Sequence, residues 1–146
     1  MPENKSTVVV DLERISGKYH LKATNQRGYT MDTEGSPGTG GQTVGFRPTE
    51  LLLVALGSCA ATDIILILEK QRQILHDIRI HIEGIKEKVS TYSEYRYIEM
   101  HFDLYGKIKP KKAEQAIELG VRKYCTVAKL LEKTAEITFN YTIHES

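Results

Sequence analysis

Residues 47–75 read RPTELLLVALGSCAATDIILILEKQRQIL, and the reading of this stretch decides the fold. Pro48 suits the first turn of a helix, where a missing amide hydrogen breaks no intrahelical bond. From residue 51 to residue 68 nearly every side chain is apolar or small, and the one glycine is Gly57. An exposed helix carries a single apolar stripe; this one is apolar on nearly every side, which predicts burial all round. Cys59, one of two cysteines, sits near its middle, and Asp63 follows one turn later on the same face. The run is about the minimum length for a membrane span. Ser58, Thr62 and Asp63 lie at its centre, however, and an aspartate there costs roughly 2.5–3.5 kcal/mol on insertion scales, so a core helix is expected instead. Taken alone, Cys59 reads as a small hydrophobe of that core.

Upstream, residues 7–13 (TVVVDLE), 19–25 (YHLKATN) and 29–33 (YTMDT) read as three strands with turns at Gly17 and at Arg27-Gly28. Residues 34–45 hold five glycines and Pro37, a connector that matches neither phosphate-binding glycine pattern. Downstream, residues 76–88 alternate, with Ile78, Ile80 and Ile82 on one face. Residues 95–107 do the same, Ile98, Met100, Phe102 and Leu104 opposing Tyr97, Glu99, His101 and Asp103. Such alternation predicts strands of a sheet with one dry and one wet face, joined by a hairpin over 87–94.

Pro110 opens a second helix, expected to run to about Lys133, with Ala113, Ala116, Ile117, Val121, Tyr124, Cys125, Ala128 and Leu131 on its buried stripe. Residues 136–144 close the series as a strand. The order is βββ-α-ββ-α-β, an α+β fold in one domain over 1–146 with the helices on the dry face of an antiparallel sheet. Two helices on one sheet leave part of the first helix bare. A second copy of the chain covers it most simply, so a two-fold homodimer is expected.

Charged residues make up 27% of the chain and nearly cancel, to a net +1, which gives no electrostatic argument for nucleic acid or an anionic membrane. The start of the chain lacks the basic, apolar and small-residue series of a signal peptide, so a cytoplasmic location is expected. There a permanent disulfide staple is not expected of two cysteines. The histidines at 20, 76, 81, 101 and 144 are scattered without ligand spacing, and no metal site is expected. His101 faces the wet side and makes a poor base for a cysteine nucleophile, while Asp63 reads best as a hydrogen-bonded buried polar group. Both cysteines point at the same core, so the thiols are able to meet. Cys59 lies too far along its helix for the dipole to acidify it, which leaves a cation, Arg27 or Arg47, as its activator.

The motif RPTELLLVALGSCAATD, followed far along the chain by KYCTVAKLLEKTAEI, resembles the OsmC/Ohr family (osmotically inducible protein C and organic hydroperoxide resistance), in its OsmC-like branch. The resemblance implies an intertwined homodimer with antiparallel sheets wrapped around two long central helices. It implies thiol-dependent reduction of small organic hydroperoxides, with Cys59 as the peroxidatic and Cys125 as the resolving thiol. A Cys59–Cys125 disulfide is then reduced by an external dithiol, and no metal, flavin or haem takes part. Members carry a glutamate ten residues before the first cysteine, paired with an arginine of the early strands. Here that position is Thr49; Glu50 lies one place later, about 100° around the helix, and Arg27 is near the family's arginine. Glu50 and Arg27 are therefore the candidate activating pair. The alternative is a non-peroxidatic dimer with a small-molecule pocket at the subunit interface, or a redox sensor.

Overall fold

The computed structural model describes residues 4–35 and 45–145, so most of the glycine-rich stretch at 34–45 lies outside the described residues. The elements are β1 (Val10–Ser16), β2 (His20–Asn25), β3 (Thr30–Glu34), α1 (Pro48–Lys70), β4 (Ile74–Val89) and β5 (Tyr92–Lys107). They continue with α2 (Pro110–Glu118), a π-helical turn (Leu119–Tyr124), α3 (Thr126–Leu131) and β6 (Glu136–His144). The chain divides into two compact units, Met1–Leu51 and Leu52–Ser146.

In the first unit β1, β2 and β3 form an antiparallel meander. The first strand begins at Val10 rather than at residue 7, because its limits are set by pairing with β2, from Val10 opposite Asn25 to Ser16 opposite His20. A run of valines marks β propensity, but the ladder decides where the strand begins. Phe46 bridges to Thr33 and leads into α1. There the Arg47 amide donates to Glu50 Oε1 at 2.7 Å, while the Glu50 amide donates to the Arg47 carbonyl at 3.0 Å. This is the reciprocal part of a capping box: the third helical residue reaches back to the cap and satisfies an amide that the helix leaves open.

The second unit is built on the rest of α1 and a three-stranded sheet in the order β4-β5-β6. Leu56, Ala60, Ile64 and Leu68, four residues apart, form the one stripe of α1 that is fully buried within the chain. They pack in a common core with Ile98, Met100, Phe102 and Leu104 of β5 and with Ala113, Ala116 and Ile117 of α2. Each large side chain in that stripe contributes roughly 1.5–3 kcal/mol by leaving water. Gly57 permits a close approach of helix to sheet, since a Cβ there would stand 2.8 Å from Ile82 Cδ1.

Three details differ from expectation. The hairpin turn is tighter than 87–94: β4 runs to Val89 and β5 starts at Tyr92, with Ser90 in the left-handed region at φ 66°. The β4–β5 pair is antiparallel, but β6 lies parallel to β5, from Tyr97 opposite Glu136 to Tyr105 opposite His144, so this sheet is mixed. The chain crosses over through the second helical region before returning, and a crossover of that length is what permits parallel pairing. Finally, the second helix is not continuous. It passes into the π turn at Leu119 and breaks at Cys125, whose backbone is extended (φ −75°, ψ 110°), before α3 begins. A π turn takes one residue more than an α turn. Tyr124, expected on the buried stripe, is accordingly 51% exposed, and Cys125 occupies the buried place.

Candidate active site

Cys59 lies beside Ala60 and so at the margin of the buried stripe of α1, half-buried and packed against the core. Cys125 is completely buried. What brings them together is Gly120 in the π turn. A Cβ at that position would lie 2.9 Å from Ile64 Cγ1 and 3.5 Å from the Ala60 carbonyl oxygen, so the turn rests almost directly on the α1 backbone. From there the chain brings Cys125 near enough to Cys59 for each thiol to influence the other. Both are free thiols.

Cys125 also serves as the N-cap of α3, its Sγ accepting from the Ala128 amide at 3.3 Å where an oxygen side chain is usual. Burial, and next the hydrogen bond with Cys59, push the Cys125 thiol up to about 11 against an ordinary 9.0, outweighing the amides that favour a thiolate. Cys125 is thus a protonated thiol at neutral pH, able to donate its S–H to the Cys59 sulfur.

Two clefts flank this stretch of α1. One, of about 560 Å³, is lined by Asp63, Leu66, Ile67, Lys70, Leu119 and Tyr124 among others. It begins one turn beyond Cys59 and is walled by the neighbour of Cys125. The other, of about 490 Å³, is an apolar trough between Leu53, Val54, Gly57 and Ala61 of α1 and Ile78, Ile80 and Ile82 of β4. Asp63, expected to be buried and hydrogen-bonded, is instead half-buried on the wall of the first cleft. Its carboxylate has no hydrogen bond to the described residues. Neither Tyr124 nor Leu119 stood out in the sequence as a residue that would line a cleft.

The other two candidates belong to the first unit. Arg27 lies in the turn between β2 and β3, where Asn25 Oδ1 accepts from the Arg27 and Tyr29 amides at 3.0 Å and Gly28 takes φ 88°. Glu50 is the carboxylate of the α1 capping box. Among the described residues no group of three or more His, Cys, Asp or Glu side chains is placed to hold a metal ion.

His101 does face away from the core, and there it joins a network the sequence did not disclose. Its Nδ1 donates to Asn140 Oδ1 and its Nε2 to Asp103 Oδ1 at 3.3 Å, while His144 Nε2 donates to the same Asp103 oxygen at 2.8 Å. With acceptors at both nitrogens the doubly protonated ring is favoured. The Asn140 bond above all raises the His101 pKa, and the His144 bond above all lowers that of Asp103.

A core helix carrying one half-exposed thiol, near a fully buried thiol at a helix break, defines a small α+β protein of the paired-cysteine kind. Comparisons with known proteins place it further. The family model described as OsmC-like protein matches residues 38–140. Protein YhfA of Escherichia coli (strain K12) is 33% identical over 97 residues, covering 66% of this chain and 72% of that protein. The crystal structure of a hypothetical protein from Aquifex aeolicus VF5 superposes with a TM-score of 0.83 at 27% identity, over 97% of this chain and 99% of that one. An organic hydroperoxide resistance protein OsmC from Legionella pneumophila shares the fold, with a TM-score of 0.74 at 13% identity over 94% of this chain and 97% of that one. The chain belongs to the OsmC-like family within the OsmC/Ohr group.

Proposed function

We propose that the protein is a thiol-dependent peroxidase that reduces small organic hydroperoxides. The observation that carries this reading is the closeness of a half-exposed Cys59 to a buried, protonated Cys125. The Cys59 thiolate attacks the terminal oxygen of the hydroperoxide. The S–O bond forms as the O–O bond breaks, and the alkoxide leaves with a proton as the alcohol. Cys59 is then a sulfenic acid. Cys125 gives up its proton and attacks that sulfur; hydroxide leaves as water and a Cys59–Cys125 disulfide remains. An external dithiol restores both thiols by exchange, so two electrons pass from dithiol to peroxide in each cycle. The two thiols already lie near each other, so the second step requires little reorganisation. The cleft of Leu66, Ile67, Leu119 and Tyr124 is suited to the organic part of the substrate.

Arg27 and Glu50 enter this reading on family resemblance as the pair that activates Cys59. The Glu50 carboxylate is also engaged in closing the helix cap, which makes it a weaker partner for a guanidinium. The variant Thr49→Glu, which restores the family's position, should lower the pH at which Cys59 alkylates, and Arg27→Ala should cancel that gain.

The decisive experiment is peptide mass mapping after treatment with cumene hydroperoxide. Wild type should show the disulfide within one chain, and Cys125→Ser should show Cys59 as sulfenic acid or its over-oxidised products. If wild type yields neither species, the peroxidase reading fails.

A further inference from the structure

A third cleft, of about 710 Å³, lies where α1 ends and β5 turns into α2, about 20 Å along the α1 axis from Cys59. Its walls carry Arg72, Lys107 and Lys109 against one carboxylate, Glu145, and its floor is Ile74 and Ile108. Among the described residues none of the three cations has an ion-pair partner, although they face the same concavity. Bringing three like charges to one hollow is electrostatically unfavourable unless an anion shares it.

Two features show that the cleft is built rather than incidental. The first is Arg72. Helix α1 ends with the Gln73 amide donating to the Leu68 carbonyl at 2.9 Å and the Arg72 amide to the Glu69 carbonyl at 3.0 Å. This is the Schellman pattern, whose left-handed position normally holds glycine. Here it holds Arg72 at φ 58°, a conformation that disfavours a side chain. The second is Gln73, whose side chain spans the cleft's two walls. Its Oε1 accepts from the Lys109 amide at 2.9 Å and its Nε2 donates to the Gln71 carbonyl at 3.0 Å. That clamp fixes the α1–β4 turn to the β5–α2 junction and preorganises the space between them.

We propose that this cleft binds a small amphiphilic organic anion, with its carboxylate or phosphate head on Arg72, Lys107 and Lys109 and its apolar body on Ile74 and Ile108. The volume falls within the usual range for small-molecule sites, and a cationic rim over an apolar floor demands both parts of such a ligand.

Isothermal titration of the full chain with octyl phosphate, octanoate, octanol and inorganic phosphate tests this. At least one of the two amphiphilic anions should bind, with octanol and inorganic phosphate about tenfold or more weaker, since neither supplies both contacts. The informative variant is Arg72→Gly. Glycine suits the left-handed position, so the melting temperature should hold or rise while affinity for the anion falls about tenfold. Lys109→Gln, on an exposed side chain, should weaken binding in the same sense. Cys59→Ser should leave it unchanged, which separates this site from the thiol chemistry. Octanol binding as tightly as the anions, or an affinity indifferent to Arg72→Gly, would overturn the proposal.

Discussion

At the scale of single residues the two cysteines are made unlike by position alone. Cys125 has no exposed surface, and its thiol is pushed up to about 11 by burial and by its hydrogen bond with Cys59. The sign of the consequence is fixed by linkage. Once pH passes the ordinary thiol value of 9.0, the unfolded chain gives up the Cys125 proton while the folded chain retains it. The stabilisation is therefore complete below that value and is lost as pH rises toward 11. Melting temperatures between pH 8.5 and 11 should fall more steeply for wild type than for Cys125→Ser, in which the titrating group is gone. Parallel slopes would show that the thiol is not held protonated by the fold. Asp63 and Tyr124 belong to the same scale: a carboxylate and a phenol ring share the cleft beyond Cys59, where its chemistry would meet a substrate.

At the scale of elements, the second helical region matters most. Gly120 is the contact point of the π turn with α1, and a Cβ there meets Ile64 Cγ1 at 2.9 Å, part of a packed side chain with little room to yield. Gly120→Ala should therefore destabilise the protein by about 1–3 kcal/mol, the usual range for overpacking, despite alanine's better helix propensity. Urea denaturation reads this directly, and an increase in stability would show that the turn sits loosely. The sequence made most of this region legible, because periodicity reports which residues are buried. Ala113, Ala116, Ile117, Val121, Cys125 and Ala128 are all buried as read. It did not disclose the break, since a stripe that gains one residue at a π turn still looks helical over its two halves. Tyr124 was placed on the wrong side for that reason. The direction of β6 was hidden too. Alternation says which face of a strand is dry, not which neighbour it takes or which way it runs. The His101–Asp103–His144 network depends on that register, with Asp103 opposite Thr142 and Tyr105 opposite His144. The meeting of Cys59 and Cys125 was legible only as a possibility, because shared burial does not specify contact.

At the scale of the molecule, α1 remains the element to be accounted for. Its buried stripe is satisfied within the chain, yet Leu52, Val54, Ile65 and Leu66 stay open, Leu66 by 50%. By length and composition alone this helix could cross a bilayer, but one such helix is also what a protein core requires. A second copy that covers these residues is the reading that fits the family's fold. Light scattering should return about twice the 16.5 kDa chain mass, and Leu66→Lys should shift the population toward single chains. A wild-type monomer that is well folded at micromolar concentration would count against the dimer. The parallel strand β6 has a consequence in time as well as in space. Strands β4 and β5 are joined by two residues and can zip together as a local hairpin, an event of microseconds. Strand β6 can add to β5 only after the whole crossover has been laid down, so its contacts come at a larger loop-closure entropy than those of the hairpin. The rate-limiting barrier should be crossed before β6 docks. Truncating Ile137, which is buried on that strand, should then accelerate unfolding in stopped-flow experiments while leaving refolding nearly unchanged, and an equal slowing of refolding would place β6 in the nucleus instead.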